Sequence, residues 1–292
     1  MSSPVDLISI AGMLLRVRYA VESVRRPLTE TTARFAVSAW DGDTDLDIVI
    51  DEMPADLPAP GKLLFDSGAV WRMNESAEGF RIDCHSALFG DKPYKVAFFD
   101  RDFSQARILV RSQVFIEGMH ALDYPLDEVM VSHLLGRSRG VELHSCGIID
   151  RDGRGHLFAG QSGAGKSTTA RVWLADGDYQ IVSDDRVIVR FTDGEWRMFG
   201  TPWHGEAKLS AQASAPLAAI YLLTQARQTE LIALPPAQAA AALFSCAFPP
   251  FYHAGAVAFT LACLERLVQE IPVRRLRFMP DRSVIDCIRS AA

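Results

Sequence analysis

The chain has 292 residues, 49% hydrophobic and 23% charged, with a formal net charge of -6. That length can bury a substantial core in one large or two smaller domains, and the acidic balance argues against nucleic acid or an anionic membrane as the main partner. The five cysteines, Cys84, Cys146, Cys246, Cys263 and Cys287, contain no C-x-x-C pair, which argues against a zinc or dithiol site and fits buried thiols in the cytoplasm.

Near the start, the apolar segment Leu7 to Leu15 is interrupted by Ser9 and Gly12 and followed by Arg16 and Arg18. It is expected to be neither a signal peptide nor a membrane span. Strand-like runs then follow at Leu14 to Ala20, Thr32 to Ala39, Asp45 to Ile50, Ala69 to Met73, Phe80 to His85, Tyr94 to Phe99 and Ala106 to Val110. Turn signals separate them, including Trp40-Asp41-Gly42-Asp43 and the proline-rich stretch Met53 to Gly61. Residues 1–122 are therefore expected to form a β-rich module, and they carry no catalytic motif. From residue 123 to 292 helices and apolar strands are expected instead. Leu126, Val129, Met130, His133 and Leu134 share a helical face. Val141 to Ile149 reads as a strand containing His144, which fits a hydrogen-bonded core histidine as well as a site residue.

The short strand His156 to Ala159 leads into Gly160-Gln161-Ser162-Gly163-Ala164-Gly165-Lys166-Ser167, a G-x-x-x-x-G-K-[ST] match, and a helix begins at its end. A polyphosphate is held when several backbone N–H groups converge on it, and glycines permit the tight turn this needs. Gly160, Ser162, Gly163, Ala164 and Gly165 form this ATP-binding loop, with the N–H groups of Gly163, Ala164 and Gly165 turned toward the β-phosphate. Lys166 is expected to reach the β- and γ-phosphates as a catalytic charge, the Ser167 hydroxyl to ligate Mg²⁺, and the N–H of Thr168 to meet the α-phosphate. After one helix and the strand Tyr179 to Ser183 come Asp184 and Asp185. Alternation along a strand sends their carboxylates different ways, one toward Mg²⁺ and one toward a phosphoryl acceptor.

Farther on, Val187 to Phe191 and Trp196 to Phe199 flank the hairpin signal Thr192-Asp193-Gly194-Glu195. The polar segment Gly200 to Lys208 contains His204, Glu206 and Lys208, a candidate substrate loop. The rest reads as a strand at Ala218 to Leu223, helices at Ala237 to Phe248 and Ala254 to Ile271, a strand at Val273 to Phe278 and a helix at Ser283 to Arg289.

The glycine loop, the Asp pair one helix later and the segment His144-Ser145-Cys146-Gly147-Ile148-Ile149-Asp150 together resemble the HPr kinase/phosphorylase and ATP-dependent phosphoenolpyruvate carboxykinase superfamily over residues 126 to 292. The resemblance implies an α/β P-loop kinase domain of that type, preceded by the β-rich N-terminal domain. It further implies Asp184 as the base activating a hydroxyl, Asp185 toward the metal, and His144 beside the transferred phosphoryl group. Thr168 stands where HPr kinases commonly carry Glu, and their acidic-Arg-Gly segment is absent, which suggests a divergent branch. The expected activity is an ATP- and Mg²⁺-dependent serine kinase acting on a protein, peptide or small-molecule hydroxyl. A non-catalytic ATP-binding regulatory or assembly protein is the alternative, and homo-oligomerisation is left open.

Overall fold

A computed structural model describes residues 5–68, 70–114, 119–177 and 179–290. Ala69, expected to open a strand, and Asp178, just before the expected strand Tyr179 to Ser183, lie outside them. The chain divides into two compact units, Met1–Leu134 and Leu135–Ala292. The boundary expected from sequence, at 122/123, lies twelve residues earlier.

In the first unit β1 (Val5–Ile10) and β2 (Met13–Tyr19) form a hairpin whose two turn residues, Ala11 and Gly12, both have positive φ. That is the tight turn whose twist matches paired strands. After helix α1 (Glu30–Ala33) come β3 (Leu46–Glu52), β4 (Lys62–Asp66), β5 (Trp71–Glu75), β6 (Gly79–Cys84), β7 (Lys95–Asp100) and β8 (Gln105–Val110). They build an eight-stranded sheet in the order β1-β2-β3-β8-β7-β6-β5-β4, parallel at β2–β3 and β3–β8 and antiparallel elsewhere. Thr32 to Ala39, read as strand, is instead split between α1 and a single bridge from Ala36 to Ile8. The unit closes on helix α2 (Leu126–Gly136), where His133 stacks on Phe103 with ring centroids 3.7 Å apart.

The second unit contains β9 (Val141–Ile149), β10 (Gly155–Ala159), α3 (Lys166–Asp176), β11 (Gln180–Ser183), β12 (Arg186–Thr192), β13 (Glu195–Phe199) and β14 (Ser214–Gln225). It continues with β15 (Glu230–Ala233), α4 (Pro236–Phe244), α5 (Ala254–Glu270), β16 (Val273–Phe278) and α6 (Ser283–Ser290). Its eight strands form a second mixed sheet, β10-β9-β12-β13-β14-β16-β15, with β11 on β9 and a further pairing of β10 with β14. The expected α/β P-loop domain of the HPr kinase type is thereby corrected, although the β-rich N-terminal region is present. Among the described residues of this unit only β10–β14 and β14–β16 are parallel. The physical cause is connection length: β12 and β13 are joined through Asp193 and Gly194, both at positive φ, and so short a turn enforces antiparallel pairing.

Alternation along the strands divides the apolar residues between two clusters. Val141, Leu143, Leu157 and Ala159 join Leu243, Leu264 and Leu267 in one. Cys146, Ile148 and Phe158 join Trp173, Phe278, Val284 and Ile288 in the other. Among the described residues no helix is long and apolar enough to cross a membrane. Since Leu264 is fully buried on α5, Leu264→Ala is expected to cost about 2–5 kcal/mol, read as a lower urea midpoint. A loss below about 0.5 kcal/mol, the scale of ordinary surface substitutions, would contradict this packing.

Candidate functional site

The glycine segment leaves β10 at Gly160 and enters α3 at Lys166. Gly163 and Gly165 adopt φ of 79° and 107°, a region that side chains with a Cβ rarely enter. A Cβ on Gly165 would also sit 2.5 Å from Cζ of Phe278, so this position is closed to other residues by sterics as well. Gly165 caps α3 without a side-chain hydrogen bond, which leaves first-turn N–H groups of an 11-residue helix available to an anion. Ala164 N–H turns inward to Gln161 O at 3.1 Å. The Lys166 ammonium is buried and donates to Gly160 O at 3.0 Å and Gln161 O at 3.3 Å. Burial lowers its pKa, while Asp185 and other nearby negative groups oppose that shift. Ser162 is exposed, and Ser167 and Thr168 are half-buried at the start of the helix.

Three backbone contacts bring His144 and Asp185 to this loop. Gly160 N–H donates to His144 O at 3.3 Å, Ser145 N–H donates to Asp185 O at 2.8 Å, and His144 is the register partner of Arg186. The side chains complete the arrangement, with His144 Nε2 3.1 Å from Asp185 Oδ1. The His144 hydrogen bond holds the Asp185 carboxyl below its ordinary pKa, against the opposing effect of burial and with help from the charges of Arg186 and Lys166.

Asp184 faces elsewhere. It is 1% exposed, and its carboxylate accepts three backbone N–H groups, from Gly205 at 2.9 Å, Ala207 at 2.9 Å and Leu209 at 3.2 Å. Asp184, expected as the base, thus has its carboxylate engaged in holding a loop, while Asp185, expected toward the metal, is the one bonded to His144. Alternating with those bonded residues, His204, Glu206 and Lys208 are exposed. Gly205 fits because a Cβ there would lie 2.9 Å from Asp184 Oδ2 and 3.5 Å from Asp185 Cβ, so the loop crosses directly over the Asp pair.

Two contributors escaped the sequence reading. Arg186 lies 3.4 Å from Asp185 Oδ2 and 3.3 Å from the buried Glu142, with its guanidinium 4.5 Å from the Phe248 ring centroid. Its position directly after the Asp pair, and an acid two residues before His144 in an apolar strand, were the available signals. Gln225, at the end of β14, donates to Gly163 O at 2.9 Å, and nothing local in sequence marks it. Among the described residues no group of three or more His, Cys, Asp or Glu side chains could hold a metal. A nucleotide-bound Mg²⁺ needs less, since phosphate oxygens and water fill most of its octahedron, and the Ser167 hydroxyl fits that limited role.

Fold and site together define a two-unit, sheet-dominated protein whose second unit holds an uncapped helix N-terminus, a buried lysine and a His–Asp pair in one place. Residues 126–255 match the family described as SynChlorMet cassette protein ScmC, a span that includes the glycine loop, both aspartates and the loop over them. No curated protein matches the chain.

Asp184→Asn is expected to cost about 1–3 kcal/mol, because an amide NH₂ replaces an acceptor facing the Ala207 N–H. Amide hydrogen exchange should accelerate at Gly205, Ala207 and Leu209, and unchanged protection would refute the clamp. For Asp185 the sign is set by its lowered pKa. Its stabilising contribution is complete above the unfolded value near ~4 and disappears as pH falls through the folded value. Asp185→Asn should flatten the acid limb of the stability–pH curve, whereas parallel limbs for variant and parent would contradict the pairing.

Proposed function

We propose that the chain is a cytoplasmic ATP- and Mg²⁺-dependent kinase that transfers a phosphoryl group to a Ser-type hydroxyl of a protein, peptide or small molecule. One observation carries this reading: an Asp185 carboxylate, biased toward its ionised form and bonded to His144, lies within electrostatic influence of a lysine seated in a glycine loop. The resemblance of the loop, the Asp pair and the His144 segment to HPr kinases supports the same chemistry.

The terminal phosphates of ATP replace the carbonyl oxygens now bonded to Lys166, whose charge offsets theirs, and the first-turn N–H groups of α3 meet the remaining oxygens. Bound Mg²⁺, with Ser167 as a protein ligand, supplies further neutralisation of phosphate charge. Asp185 accepts the acceptor's hydroxyl proton as its oxygen bonds to the γ-phosphorus and the bond to the ADP leaving oxygen breaks. Through its hydrogen bond, His144 fixes the orientation of that carboxylate. His204, Glu206 and Lys208 at the rim offer an imidazole, a carboxylate and an amine contact to the acceptor.

The test is calorimetric ATP binding together with transfer from γ-labelled ATP to cell extract and to small hydroxyl compounds. Lys166→Ala should weaken both, and Asp185→Asn should lower transfer about 10²–10⁴-fold while retaining nucleotide affinity. Binding without transfer above the Asp185→Asn background would leave a nucleotide-binding protein and overturn the kinase reading.

A further inference from the structure

We propose that residues 120–123 form an acid-sensitive latch on the N-terminal sheet, closed while the His120 imidazole is neutral and released when that ring takes a second proton. The segment lies in neither helix nor strand. It ties itself into a turn instead. His120 N–H donates to Asp123 Oδ2 at 2.7 Å, and Asp123 N–H donates to His120 O at 3.1 Å. Side-chain hydrogen bonds then anchor the turn to the sheet, from His120 to Tyr19 on β2 and from Lys95 on β7 to Asp123 O at 2.5 Å.

The bonds around His120 fix which nitrogen carries its proton. Tyr19 O–H donates to Asp6 Oδ2 at 2.7 Å, so at the 2.9 Å contact with His120 the phenol oxygen accepts and Nε2 donates. On the other side of the ring Nδ1 accepts the Leu122 N–H at 3.2 Å. Neutral imidazole satisfies both contacts. Imidazolium instead sets an N–H on Nδ1 against the Leu122 N–H, two donors face to face. His120 is 2% exposed, and Ala121 and Leu122 are 3% exposed, so in the closed turn that mismatch carries the full cost of desolvation. Release of the turn lets water accept both donors.

The charged groups around the turn act with different signs. Burial is the main cause that lowers the His120 pKa, to about 4, with Asp6 opposing and Lys95 assisting. Burial also lowers the Lys95 pKa, against attraction from Cys84, Asp127 and Asp123, so protonation of Lys95 favours release as well. Burial raises the Asp123 pKa, so protonation there favours the closed turn. Tyr19 stays neutral, because burial and Asp6 push its pKa up more strongly than Arg25 lowers it. For His120 the closed value lies below the ordinary one. The latch is therefore intact above the ordinary ~6.5 and loses stability as pH falls from there toward the closed value. Within that window the open form gains up to about tenfold per pH unit.

Amide exchange in the full chain, corrected for the intrinsic pH dependence of exchange, reads the opening at His120, Leu122 and Asp123. Protection there should fall on the order of 30-fold between about pH 7.5 and 5, while β3 and β8 keep theirs. Imidazole nitrogen resonances should place the proton on Nε2 at neutral pH, and the ring should remain neutral down to about pH 5. His120→Asn keeps an acceptor for the Leu122 N–H and cannot gain a proton, so its fall should be at least about tenfold smaller. That comparison separates the imidazole from Lys95 and Asp123, and the ring resonances of the parent chain decide the matter without any variant. A proton on Nδ1, titration of the ring near the ordinary ~6.5, simultaneous loss of protection in β3 and β8, or an undiminished fall in His120→Asn would each overturn the proposal.

Discussion

The backbone of His144 is hydrogen-bonded in two directions: its N–H donates to Cys246 O at 2.7 Å and its carbonyl accepts from Gly160 N–H at 3.3 Å. The next residue, Ser145, donates to the backbone of Asp185. These bonds fix β9 between the glycine loop and the Asp pair, and a one-residue slip of its register would turn His144 to the opposite face. Arrangement of the site is therefore a property of sheet pairing. The loop and the aspartates contribute groups, but β9 determines that those groups meet.

Two adjacent carboxylates solve different electrostatic problems. Asp184 is nearly inaccessible, and a buried charge is tolerated only when hydrogen bonds replace its lost water. Three backbone N–H groups perform that replacement, and the same bonds give the segment 205–209 a defined path without regular secondary structure. Ser183 reinforces the division by accepting from the N–H groups of Asp185 and Arg186 while donating to Trp203 O. Asp185 can then remain partly exposed, with its side chain at 27% accessibility, between an imidazole and a guanidinium. Its charge is stabilised by side chains, which can rearrange for a substrate more readily than a backbone clamp can.

What could be read from sequence was what is local. Gly160 and Lys166 are six residues apart, the Asp193-Gly194 turn is a two-residue signal, and β9 and β16 occupy the residues expected of them. The role of Asp184 was hidden because its partners lie 21, 23 and 25 residues downstream in a segment with no periodic pattern. Fold class was misread for a related reason. A strand, loop and helix at β10 and α3 suggested continued α/β alternation, yet the next four strands, β11 to β14, follow without an intervening helix. β1, β4 and β15 were missed, and each ends the strand order of its sheet, where pairing on one side leaves a weaker burial pattern to detect. Thr32 to Ala39 shows the converse, since β-type composition yielded a single bridge of Ala36 to Ile8, made through the Phe35 carbonyl and the Val37 N–H, rather than a strand.

The loop's shape also rests on apolar packing that carries no functional signature. Phe278, 1% exposed on β16, lies where a Cβ on Gly165 would project, and it belongs to the same cluster as Phe158 on β10 and Trp173 on α3. Strand, helix and loop tip are thus held by one set of contacts, and close-packed contacts resist small displacements. Gln225 adds a polar tie from β14 to the Gly163 carbonyl. Within a planar trans peptide the carbonyl and the following N–H point in opposite directions, and in this protein that N–H, on Ala164, points toward Gln161 O. The glycines permit this conformation, but Phe278 and Gln225, remote in sequence, select it from the many that glycine allows.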